Sequence, residues 1–132
     1  MRNEKIVLLR RFNTGYMDGY YGLPAGHLDE HESMSNAVSR EVAEEIGIKT
    51  NPKDYQLVQV MHRKENDERI DLFFVNNKIT KEPINNEIDK CDDVGWFPLD
   101  DLPKNTVPYI RRAIENFRNK ILYDEIGWES NQ

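Results

Sequence analysis

An α/β fold, a mixed β-sheet sandwiched between helices, is what the sequence predicts, on three observations. Apolar runs short enough for strands alternate along the chain with two longer segments whose apolar residues recur at helical spacing. Those helical segments, near residues 33–47 and 106–121, have strand-like runs before and between them, so each can cover one face of a sheet. No repeat, low-complexity tract or linker interrupts the chain. Its 132 residues suit one domain, 1–132, with a real core, and hardly two.

The elements follow in order. Ile6-Val7-Leu8-Leu9 is a continuous apolar run bounded by charge, the pattern of a strand buried on both faces. Residues 13–19 (Asn-Thr-Gly-Tyr-Met-Asp-Gly) are rich in turn formers, and Tyr20 to Leu23 leads into a segment that Pro24 and Gly26 keep irregular. Ser33 can cap a helix in which Val38, Val42 and Ile46 recur at i, i+4 and i+8, with Gly47 as its stop. Asn51-Pro52 breaks the pattern. Tyr55 to Arg63 and Ile70 to Val75 then read as two strands joined by the charged loop Lys64 to Arg69, expected at the centre of the sheet. Finally Thr106 is a candidate cap for a helix with Pro108 in its first turn and Ile110, Ala113, Ile114, Phe117 and Ile121 on one stripe.

Composition narrows the function. A formal charge of −6 and the lack of a basic stripe speak against a polymeric nucleic acid as partner, because no counterion-release term is available. Cys91 is the only cysteine, which suits a reducing compartment. With neither a signal peptide nor an apolar run of about 18 residues, a soluble cytoplasmic protein without membrane attachment is expected.

The chemistry concentrates on the first helix. Glu41, Glu44 and Glu45 fall within an arc of roughly 100° beside the apolar stripe. Like charges so placed destabilise a helix, whereas a hard divalent ion with oxygen ligands turns the same strip into a binding site. Gly26, Glu32, Arg40-Glu41, Glu44-Glu45 and Gly47 stand at spacings of five, seven, two and one intervening residues, with aliphatic Val42 and Ile48 at the variable places. This run is the complete Nudix box, and at ordinary residue usage a chance match to its seven fixed identities has odds below about one in a million.

The chain therefore resembles the Nudix hydrolases, small MutT-type members in particular. Leu23-Pro24-Ala25-Gly26-His27-Leu28-Asp29 is similar to the family's Leu-Pro-Gly-Gly-His-Leu-Glu, departing at Ala25 and Asp29. Glu87 to Cys91, followed by Trp96 to Pro103, looks like the segment that closes the active site in MutT-type members. The resemblance implies that Glu41, Glu44, Glu45 and the carbonyl of Gly26 hold Mg2+ or Mn2+. It also implies that Arg40, paired with Glu32, orients the glutamates, and that Glu41 or Glu87 is the general base, with Glu87 preferred. Such chains usually carry another strand before the equivalent of Ile6 to Leu9, where only Met1 to Lys5 stand here. A bare sheet edge would invite pairing with another copy, so a homodimer is one expectation.

The reaction so implied is hydrolysis of a diphosphate linkage in a small nucleotide. The subfamily cues of ADP-ribose, dinucleoside polyphosphate and coenzyme A hydrolases are missing, since Arg63-Lys64 and Glu65-Asn66 occupy the places of the first two. A (deoxy)nucleoside triphosphate giving monophosphate and pyrophosphate ranks first. A nucleoside diphosphate linked to another moiety is the alternative, and a non-catalytic nucleotide-binding module a third reading that the full glutamate set opposes. Tyr16, Tyr20 and Tyr21 are candidates for stacking on a base. Trp96 and Phe97 read as core, Arg63 and Arg69 as hairpin flanks, and His27, His31 and His62 lack the spacing of a metal or triad site.

Overall fold

The strand β1 (Lys5–Arg11) carries both layers of the core, because its apolar residues alternate between two faces. In this computed structural model, which describes residues 1–26 and 28–128, Val7 and Leu9 pack with Val42 and Ile46 on one side. On the other side Leu8 packs with Ile110 and Ile114. His27 lies outside the described residues. The remaining elements are β2 (Tyr21–Gly22), α1 (Met34–Ile46), a single 3-10 turn (Pro52–Asp54), β3 (Gln56–Lys64), β4 (Glu68–Val75), β5 (Cys91–Pro98), α2 (Pro108–Arg118) and β6 (Tyr123–Ile126).

The strands form two three-stranded sheets. One, in the order β2-β1-β5, is antiparallel throughout; the other, β4-β3-β6, is mixed, with β6 parallel to β3. Helices α1 and α2 cover opposite faces of the first sheet, and α2 also reaches the second sheet through Asn116, whose Nδ2 donates to Gln59 Oε1 at 2.8 Å. The α/β sandwich is as expected, but its interior differs. The β3–β4 hairpin does not fill the centre of one sheet; it builds the second sheet with β6.

Two strands lie outside the local pattern. β5 contains Asp92 and Asp93, charges that become tolerable because Arg10 Nε meets Asp92 Oδ1 at 2.7 Å and Tyr21 donates its hydroxyl to Asp93 Oδ2. β6 contains Asp124, which accepts from Arg112 Nε at 2.6 Å and from Asn116 Nδ2 at 2.8 Å. Both pairings are long-range, so neither strand announces itself in its own residues.

Helix ends show the same contrast. Ser33 Oγ accepts from Asn36 N at 3.2 Å and Gly47 takes the left-handed conformation at φ 70°, so α1 begins and stops at its expected caps. Thr106 does not cap α2: Val107 holds that position without a side-chain bond, while Thr106 Oγ1 donates to Pro103 O at 2.6 Å. Ile121 falls beyond the end of α2 and is 44% exposed. β1 has partners on both sides, so the sheet ends are β2 and β5 in one sheet and β4 and β6 in the other. No helix among the described residues is long and apolar enough to cross a membrane.

Candidate metal and diphosphate site

Because Val42 and Ile46 face the core, α1 places Arg40, Glu41, Glu44 and Glu45 on a strip beside the apolar one, and two loops close on that strip. The loop after β2 approaches from one side. Ala25 N donates to Glu45 Oε2 at 3.1 Å, and Gly26 lies so near Glu41 that a Cβ there would stand 2.1 Å from the Glu41 carboxyl carbon. Glycine at 26 is thus a steric requirement of the Glu41 position.

Arg40 organises the strip. Its Nε and Nη2 grip Glu32 Oε2 and Oε1 at 2.8 and 3.0 Å, a two-pronged guanidinium–carboxylate pair. Its Nη1 donates to Glu41 Oε1 at 2.8 Å and Glu44 Oε2 at 3.2 Å, and Asp29 Oδ2 lies 3.3 Å from Nε. The hydrogen bond to Glu32 and those to Glu41 hold the Arg40 proton more firmly than in water, while Arg40 and the Asp29 N–H hold the Glu32 carboxyl below its usual range.

The second loop, residues 76–90, crosses the C-terminal end of α1. Ile84 N donates to Ile46 O at 2.9 Å and Asn86 N to Glu45 O at 3.1 Å, which satisfies two helix-end carbonyls and delivers Glu87 to the strip. Burial, a hydrogen bond with Glu41 and the charges of Glu41 and Glu87 push the Glu45 carboxyl up to about 9. Three nearby acids are otherwise engaged: Glu82 pairs with Arg2 at 2.8 Å, Asp92 with Arg10, and Asp93 with Tyr21.

This donor set fits a hard divalent cation. Burial, first, and then the neighbouring Glu41 and Glu87 carboxylates favour the protonated form of Glu45, and a cation with oxygen ligands would favour its ionised form instead. Among the described residues no three acidic, histidine or cysteine side chains already converge on one point. Glu41 and Glu44 accept from Arg40, and Glu45 accepts from the Ala25 N–H, so each of the three carboxylates is tethered along the strip.

The tyrosines separate. Tyr21 is 7% exposed and packs edge-on against Phe97 at 5.0 Å between ring centres, which makes it a core residue with no face to offer a base. Tyr16 and Tyr20 are each 38% exposed; the Tyr16 hydroxyl meets Glu65 Oε2 at 3.2 Å and its ring lies 5.4 Å from the Arg11 guanidinium. Trp96 packs in the α1-side core with Arg2 4.5 Å over its ring. Arg63 is buried against Asp71 at 2.8 Å and Arg69 pairs with Asp67 at 3.1 Å. His62 lies against Trp128, the rings tilted by 44° with centres 4.5 Å apart, and His31 is exposed.

Sequence reasoning missed three participants: the Ala25 N–H on Glu45, the Asp29 carboxylate beside Arg40, and Asn85. Asn85 Oδ1 accepts from Glu87 N at 3.1 Å, an Asx turn for which two successive asparagines, Asn85-Asn86, were a legible signal.

Known proteins share the fold and the family. The crystal structure of a MutT NUDIX hydrolase from Burkholderia pseudomallei superposes with a TM-score of 0.78 at 30% identity, covering 87% of this chain and 89% of that one. The ADP-ribose pyrophosphatase of Methanocaldococcus jannaschii is 28% identical over 132 residues, 98% of this chain and 70% of that protein. The NAD-capped RNA hydrolase NudC of Stutzerimonas stutzeri is 25% identical over 112 residues, and the match covers only 35% of that protein's length. The model of the NUDIX domain matches residues 1–117, nearly the whole chain, and the chain therefore belongs to the NUDIX family.

Proposed function

We propose that the protein hydrolyses a diphosphate linkage in a small nucleotide with the help of a divalent ion, magnesium or manganese. The observation that carries this reading is the close approach of the Gly26 backbone to the Glu41 carboxylate, on a helix strip where Arg40 bonds Glu41 and Glu44 and the Ala25 N–H bonds Glu45. When bound, the ion neutralises phosphate oxygens and activates water. Glu41, Glu44, Glu45 and the Gly26 carbonyl are the groups that would hold it. Arg40 keeps Glu41 and Glu44 in place, and the Ala25 N–H does so for Glu45. Glu87, the late acid whose charge bears on Glu45, takes the proton of the attacking water in this reading, with Glu41 as the alternative base.

For the substrate, a nucleoside triphosphate cleaved to monophosphate and pyrophosphate comes first. Its support is that the longest late insertion folds back to brace α1, and no second lobe for a sugar stands among the described residues. Likeness to an ADP-ribose pyrophosphatase along nearly the whole chain favours a second reading, a nucleoside diphosphate linked to another moiety. A panel of both classes with Mg2+, resolved by chromatography, decides between them. Pyrophosphate from triphosphates supports the first; a strong preference for ADP-ribose or nucleotide sugars, giving two monoesters, replaces it with the second.

A further inference from the structure

Glu87 sits on a loop whose backbone is tied on both sides by hydrogen bonds. Asn85 is tied at both ends of its side chain, accepting from Glu87 N at 3.1 Å and donating from Nδ2 to Cys91 O at 2.6 Å, the first residue of β5. Lys90 N closes the turn on Glu87 O at 2.9 Å. On the helix side, the bonds from Ile84 N to Ile46 O and from Asn86 N to Glu45 O bracket the same residue. Gly47 makes that approach available: a Cβ there would come within 2.6 Å of Ile84 Cγ1, so the helix stop is also the seat of the Ile84 side chain.

We propose that Asn85, with the Ile84 side chain seated on Gly47, is a clamp that sets the position of Glu87 over the glutamate strip, which makes Asn85 a positioning residue of the hydrolysis. The inference rests on the reading that Glu87 takes part in the reaction. Physically, a loop carboxylate without such anchors samples many rotamers and backbone states. Reacting groups lose about a hundredfold in rate for a displacement of about 1 Å. Asn85 removes that freedom by bonding the Glu87 amide directly and by tying the loop to β5, whose register on β1 is set by the sheet.

A double-mutant cycle on kcat tests this, with amide exchange as a readout independent of substrate. Asn85→Ala is expected to lower kcat about tenfold or more with KM little altered, and Asn85→Ser, whose hydroxyl can accept from the Glu87 amide, to recover part of the loss. In a Glu87→Gln background Asn85→Ala should cost nothing further, because it acts only through Glu87. The Asn86 and Glu87 amides should exchange slowly in the wild type and at least tenfold faster in Asn85→Ala. An equal loss of kcat in both backgrounds, or unprotected Asn86 and Glu87 amides in the wild type, overturns the clamp. Wild-type turnover in Glu87→Gln, with Glu44→Gln inactive, also overturns it while leaving the metal-site reading intact. Protein inactive toward every nucleotide, but with the amide pattern as described, would instead count against the functional reading and keep the clamp as a structural device.

Discussion

Replacing Gly26 by alanine separates the site from the fold. The added Cβ would stand 2.1 Å from the carboxyl carbon of Glu41 and 2.2 and 2.3 Å from its oxygens, where ordinary contact begins near 3.4 Å. Glu41 must therefore retreat by more than about 1 Å, and a misplacement of that size costs about a hundredfold in rate. The backbone of Gly26 is outside the left-handed region, so alanine fits its conformation. It also lowers the entropy of the unfolded chain, which in compatible places stabilises by about 0.4–1 kcal/mol. The clashing group is the end of a flexible side chain, so the fold has room to yield. Turnover of the preferred nucleotide with saturating Mg2+, read beside Tm from circular dichroism, should thus show activity down about a hundredfold and Tm unaltered or slightly raised. Turnover within threefold of wild type would refute the close Gly26–Glu41 approach as the reason for the glycine, and a fall in Tm of more than about 5 °C would show a structural role instead.

Further outcomes follow from the same geometry. Glu44→Gln and Glu45→Gln should each lower turnover more than about a hundredfold by removing a charge from the cation site, with an unaltered or higher Tm in chelator, because like-charge crowding is relieved; turnover within threefold for both would remove the strip from the mechanism. Glu45, held at about 9 against an ordinary 4.5, binds more protons folded than unfolded. Its contribution to the stability of the metal-free protein is therefore complete below about 4.5 and is lost as pH rises toward 9, so the Tm advantage of Glu45→Gln should widen from pH 5 to pH 9 in thermal melts. By the same linkage, Mg2+ binding near pH 7.5 should release about one proton, measurable by calorimetry in buffers of different ionisation enthalpy; no release would place the ion elsewhere. Gly47→Ala should cost about 1–2 kcal/mol for the left-handed backbone alone, plus a shift of Ile84, while Gly47→Asn is milder. Equal melting temperatures for wild type and Gly47→Ala would contradict that account.

How much of this was legible in the sequence depends on how local each signal is. Ser33, Gly47 and the spacing of Val38, Val42 and Ile46 fix α1 within its own fifteen residues, and the box glutamates follow from the same turn angle. The Arg40–Glu32 fork was likewise within reach, since only the cap Ser33 and about two helix turns separate the partners. β5 and β6 were not, because Asp92, Asp93 and Asp124 read as loop acids until Arg10, Tyr21 and Arg112 meet them from distant elements. Tyr21 misled for a related reason: its place just before the box made it a candidate to stack on a base, but pairing with β1 turns it inward onto Phe97. Asn116, buried against Gln59, interrupts the apolar stripe of α2 where the second sheet needs a polar tie.

The central claim, that the Glu41–Glu44–Glu45 strip binds a divalent ion and cleaves a diphosphate linkage, is tested most directly by phosphorus NMR of a nucleotide substrate incubated with wild type and with the Glu44→Gln, Glu45→Gln double variant. With Mg2+, wild type should give a nucleoside monophosphate and pyrophosphate as first products, or two monoesters from a linked diphosphate. Chelator should stop the reaction, added Mg2+ should restore it, and the double variant should stay silent. Orthophosphate as the first product, full turnover in chelator, or an active double variant would contradict the account.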